Sequence, residues 1–231
     1  MMHYLAILRG PEPTGEYDAA AAEAIMAEYA HFSATAGDAI RAGDALAPAA
    51  EAVRIAGGVV TDGPFAEGAE IAGGYYVFEA DNLDDALQLA RGIPACKVGG
   101  VEVWPMVEWE APAGPVGADW LALLLEPAGA EFPEPGTEQW DADVREHEKF
   151  GQACGAHILG GAALHPPSTA TTVRVRDGEA IITDGPYAEG AEVAGGFYLL
   201  RAADRDEAVA VAAQIPVSVV ELRQLANISV S

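Results

Sequence analysis

The string T-D-G-P-F-A-E-G-A-E-I-A-G-G-Y-Y at 61–76 returns as T-D-G-P-Y-A-E-G-A-E-V-A-G-G-F-Y at 183–198. A repeat of this kind means the same module twice, so the 231 residues describe two small units rather than one large domain. The copies agree at about half of the positions from 62 to 94 and from 184 to 216, and both stretches end in Ile-Pro. The spacing places module 1 at 1–109, a Pro/Gly-rich linker (E-A-P-A-G-P-V-G-A) at 110–118 and module 2 at 119–231. A module of about 110 residues builds one modest core and cannot leave a sheet face bare.

Each module reads in the same order. A short apolar run (2–8 and 120–125) predicts a first strand, and a helical pattern follows. In the second copy Trp140, Val144, His147, Gly151 and Cys154 recur on one helical face, with Thr137 as N-cap; Ala22, Met26, Tyr29, Ser33 and Ala36 form the matching stripe in the first. A strand over 159–164 and an alternating run over 170–176 lead to Asp177-Gly178, a two-residue hairpin signal, and a return strand at 180–183. The first copy shortens this hairpin and turns at Gly57-Gly58. Strands at 72–79 and 194–201, helices at 83–91 (capped by Asp81 or Asn82) and 205–214, and closing strands at 101–107 and 217–222 complete the units.

This β-α-β-β-(β)-α-β order predicts an α+β fold of two ferredoxin-like modules, each an antiparallel sheet with helices on one face. Strands such as L-A-L-L-L (121–125) and G-F-Y-L-L (196–200) are apolar on both sides, so the second face must meet another sheet. The tandem copy supplies it.

The D-G-P-F/Y-A-E string, the Gly-Gly-aromatic strand after it, and L-H-P-P-S-T-A-T-T-V-R at 164–174 resemble the YCII-related, or DGPF, family over nearly the whole chain. That resemblance implies an intramolecular pseudo-dimeric α+β barrel, with the modules packed sheet to sheet. It also implies a catalytic dyad of a helix histidine and the motif aspartate, here His147 and Asp184, with Tyr29, Asp62, Phe65 and Tyr187 as ligand-binding candidates. A carboxylate on one imidazole nitrogen would leave the other as a general base. Tyr29 stands where the first copy lacks the histidine, so the second copy is expected to carry any chemistry. The family string continues Thr-Lys-Glu, whereas Gly-Ala-Glu follows here, which removes a lysine that could meet an anion.

Composition narrows the classes. A formal net charge of −24 argues against nucleic acid and anionic membrane surfaces as partners. No apolar run approaches the ~18 residues of a membrane span, and residues 2–8 read as a strand rather than a signal segment. Cys96 and Cys154 fall at non-equivalent places, which predicts free thiols and a reducing, cytoplasmic setting. No histidine spacing suits a metal, and no Gly-rich phosphate loop is present, so no cofactor is expected. The loop acids Glu67, Glu70, Glu189 and Glu192 read as solvated, with Arg54 and Arg174 balancing them locally. Two functions fit: a small-molecule-binding or accessory protein, monomeric with its internal pseudo-dimer or a homodimer, and, as the alternative, a cofactor-independent proton-transfer enzyme of isomerase or lyase type.

Overall fold

The computed structural model describes residues 1–11, 18–63, 71–112, 119–127, 129–186 and 192–228. In the first copy these form β1 (Met2–Gly10), α1 (Ala19–Ala36), β2 (Ile40–Ala45), β3 (Val53–Ala56), β4 (Val59–Asp62), β5 (Ile71–Ala80), α2 (Leu83–Arg91), α3 (Ala95–Val98) and β6 (Gly100–Pro105). The second copy gives β7 (Trp120–Pro127), α4 (Glu138–Cys154), β8 (Ile158–Ala163), β9 (Thr171–Arg176), β10 (Glu179–Asp184), β11 (Glu192–Leu200), α5 (Arg205–Ala212) and β12 (Val219–Gln224).

Local chemistry explains most of the boundaries. The Thr137 hydroxyl accepts from the Trp140 amide and starts α4, Asn82 caps α2, and Asp204 caps α5. Asp177 and Gly178 both adopt positive φ, as do Gly57 and Gly58, the geometry of a tight hairpin whose twist matches its strands. The second hairpin is the longer one because its strands have six residues each against four in the first.

Two six-stranded antiparallel sheets result, in the orders β10-β9-β6-β1-β5-β2 and β4-β3-β12-β7-β11-β8. Each sheet therefore borrows a hairpin. β9 of the second copy pairs with β6 of the first, and β3 of the first pairs with β12 of the second. Two matching bridges join the sheets. Leu46 meets Leu225, with the Ala47 amide donating to the Gln224 carbonyl, and Met106 meets Leu164, with the His165 amide donating to the Pro105 carbonyl. The central strands thereby close into a barrel, with the borrowed hairpins extending two of its edges.

Alternation assigns the faces. Leu5, Ile7, Tyr75, Val77, Trp104, Leu121, Leu123, Phe197 and Leu199 point between the sheets, while Tyr4, Ala6, Tyr76 and Phe78 face α1 and α2. Trp120, Ala122, Leu124 and Leu200 meet α4 and α5 on the opposite side. The helix stripes are narrower than their periodicity suggests, since Met26 and Val144 are exposed and Phe32 and Phe150 anchor the two long helices. The strand Ile40–Ala45, where alternation is broken by Arg41, Gly43 and Asp44, was not anticipated in the first copy.

Both cysteines are free and buried. Burial pushes the Cys96 thiol up to about 12. Native protein is accordingly expected to leave 5,5′-dithiobis(2-nitrobenzoate) unreacted, and denatured protein to release two equivalents of thiol per chain. Rapid native reaction would show that the helices over these thiols open readily.

Candidate functional site

His147 lies on the half-buried face of α4, where its Nδ1 shares a 2.9 Å hydrogen bond with the Tyr198 hydroxyl of β11. Phe150 packs edge-on against the same tyrosine. Asp184 ends β10, is exposed, and belongs to the other sheet. The expected His147–Asp184 dyad is therefore not assembled, because the hairpin that carries Asp184 crosses to the first module. Desolvation holds the His147 imidazole below its ordinary value, opposed by the nearby Asp143 carboxylate. Burial pushes the Tyr198 phenol up to about 12, so it acts as a hydrogen-bonding hydroxyl and not as an acid.

A depressed imidazole has a thermodynamic sign. The folded state binds fewer protons than the unfolded chain, so this contribution is complete above about pH 6.5 and is lost as the pH falls below it. Unfolding free energy is expected to drop between pH 7 and 5, and less steeply in His147→Gln. Parallel profiles for the two proteins would show that other groups set the acid limit.

Tyr29 occupies the equivalent place on α1. Burial raises its phenol, with Tyr76 and Cys96 as neighbours, so it is a core group rather than a base. Phe65 and Tyr187, like Glu67, Glu70 and Glu189, lie outside the described residues. Glu192 is not a solvated loop acid: it opens β11 and takes a two-point ion pair from Arg54 of the other copy, whose Nη1 donates at 2.7 Å.

Asp62, by contrast, is drawn into a constellation. It closes β4 and pairs with the guanidinium of Arg205, the first residue of α5 in the second copy. The motif glycine explains how the hairpin end reaches this point. A Cβ on Gly63 would sit 2.3 Å from the Ala49 carbonyl oxygen, so only glycine allows the close approach in which the Gly63 amide donates to the Ala52 carbonyl. Around the ion pair is a cleft of about 410 Å³ whose lining includes Glu51, Asp62, Trp120, Asp204, Arg205 and Gln224. Trp120 opens β7 and Gln224 closes β12, directly opposite each other in register. The Asp204 carboxylate is engaged with the Glu207 amide as the helix cap, and Glu207 accepts in turn from the Ala203 amide.

The corresponding end of the first sheet differs. Tyr4 and Pro105 are the register pair there, and α2 begins with Leu83 instead of an arginine. The helix-stripe position of His147 points to chemistry in the second copy. The polar cleft instead joins the first copy's motif aspartate to the second copy's strands and helix. Arg205 was the missed residue. Its signal was an arginine directly after a helix-capping aspartate, at a position where the other copy has leucine.

Among the described residues no three His, Cys, Asp or Glu are grouped to hold a metal, and no helix is long and apolar enough to cross a membrane. The fold and the paired hairpins define a duplicated α+β barrel module. The model of the YCII-related domain matches residues 2–110 and 134–224, and the chain belongs to that family. No curated protein matches it in sequence. A crystal structure described as a putative chlorite dismutase aligns over 98% of this chain and 95% of its own, at a TM-score of 0.44 and 8% identity, a likeness too slight to bear on function.

Proposed function

We propose that this protein binds a small polar molecule in the cleft between the β3–β4 hairpin and the N-terminus of α5, and that binding rather than catalysis is its role there. The observation that carries this reading is the Asp62–Arg205 pair, contributed by different copies and opening into a space of about 410 Å³. That volume suits a small ligand, and an ion pair flanked by an indole and an amide gives few but directed polar contacts. The proton-transfer alternative finds less support. It needs a base with a carboxylate partner, and His147 is bonded to Tyr198, away from this cleft.

A thermal-shift screen of small polar metabolites against wild type and Arg205→Ala tests the proposal. Compounds that raise the melting temperature of the wild type should lose most of that effect in the variant. Hits that stabilise both proteins equally would place binding elsewhere and overturn the reading.

A further inference from the structure

The outer edges of the two sheets are treated unequally. At β8 the edge is closed by Glu110, which exchanges amide hydrogen bonds with Gly161 in both directions. At β2 the Ala226 amide donates to the Ala45 carbonyl. β10 and β4 end their sheets, and among the described residues no backbone hydrogen bond reaches their outer edges. These two also differ from each other. β4 has four residues, and its one acid, Asp62, is neutralised by Arg205. β10 has six, with Glu179 and Asp184 at its ends, and neither acid has an ion-pair partner among the described residues. Arg176, which stands opposite Glu179, spends its guanidinium on the Cys96, Lys97 and Gly99 carbonyls.

The sequence of β10, E-A-I-I-T-D, breaks the alternation of a half-solvated strand. Ile181 and Ile182 point to opposite faces of the sheet, yet they are 47% and 53% exposed. Asp177-Gly178 is a two-residue turn, so the Arg176–Glu179 pair beside it is hydrogen-bonded and bonded pairs alternate from there, Ile181 with Arg174 and Thr183 with Thr172. Ala180, Ile182 and Asp184 therefore aim their amides and carbonyls away from β9. An edge without bulge, proline or lysine is a template for one more strand.

We infer that the β10 edge takes up an extended segment of another protein, apolar at its centre and basic at both ends, as an added strand of the sheet. The isoleucines give it an apolar cross-strand contact on each face, and Glu179 and Asp184 select Lys or Arg at its flanks. A second copy of this chain fits worse. Neither β10 nor β4 contains a basic residue, so a second copy brings acid to acid, between molecules of net charge −24.

Two peptides, acetyl-K-T-V-V-T-K-amide and acetyl-E-T-V-V-T-E-amide, titrated into the intact ¹⁵N-labelled protein, test this. The basic peptide is expected to shift the amide resonances of Ala180, Ile182 and Asp184 saturably. The acidic peptide should bind at least about tenfold more weakly, since both flanking pairs turn from attraction to repulsion. Glu179→Lys combined with Asp184→Lys should reverse that order while leaving the backbone of the hairpin untouched. Ile182→Pro removes an outward donor and should abolish binding, whereas Val60→Pro, the matching change on β4, should leave it intact. Equal affinity for the two peptides, no binding of either, shifts confined to β4, or an unchanged preference in the charge-reversed protein would overturn the inference. So would self-association of the free protein that Ile182→Pro removes, because a second copy would then hold the edge.

Discussion

Residues 1–112 and 119–231, produced as separate chains, are expected to be incapable of standing alone as folded monomers and to recover one cooperative fold on mixing. Each half loses the cover over its inner sheet face, where Leu5, Ile7, Tyr75 and Trp104 on one side meet Leu121, Leu123, Phe197 and Leu199 on the other. Each also loses the strand to which its hairpin docks, because β3 pairs with β12 and β9 with β6. Burying a large apolar side chain stabilises by roughly 1.5–3 kcal/mol, so uncovering the four on either half costs about 6–12 kcal/mol, as much as holds a typical domain folded. Size-exclusion chromatography and near-ultraviolet circular dichroism should report self-association or collapse for each half and native-like signal for the mixture. A monodisperse, cooperatively unfolding monomer of either half would contradict the shared core.

The second large effect is expected at Arg223. This side chain is buried, donates from Nη1 to the Ala72 carbonyl and Glu221, and donates from Nη2 to the Ala47 carbonyl. It stands opposite Leu121 in β7, the register place that Trp104 takes opposite Leu5 in β1. One copy thus fills this position with an indole and the other with a guanidinium that ties β12 to two segments of the first copy. Arg223→Ala strands two carbonyls and a half-buried carboxylate, and should cost about 3–5 kcal/mol, the range for breaking a buried charge pair on one side. Arg223→Lys should recover little, since a single ammonium on a flexible stem cannot span the same acceptors as a planar fork. Urea unfolding monitored by fluorescence gives the comparison, and a loss under about 1 kcal/mol for Arg223→Ala would mean the clamp is dispensable.

The elements were legible because their signals are local. Thr137 and Asn82 cap the helices they precede, Asp177-Gly178 turns the hairpin, and the two-sided apolar strands announce a second sheet. The exchange of hairpins was not legible. T-T-V-R-V-R alternates the same way whichever sheet it joins, and only the long-range pairing of Thr171–Val173 with Val101–Val103 decides. That one missing fact displaced the site. Assigning Asp184 to its own module puts it beneath His147, whereas the strand crossing removes it and brings Asp62 to Arg205 instead. The buried charges escaped notice for a related reason. Glu102 lies between Val101 and Val103, Arg223 in a strand of mixed polarity, and their partners Arg9, Ala47 and Ala72 are far away in sequence.

The crossed hairpins also constrain how a duplicated gene of this kind can change. Ordinarily one copy drifts while the other keeps the original task. Here a substitution in the first copy's motif alters a cleft whose lining also includes Trp120, Asp204, Arg205 and Gln224 of the second copy. The two copies therefore contribute halves of one shared cleft, and a change in either half acts on both. Divergence of either copy is thus constrained by the residues its partner copy sets against it.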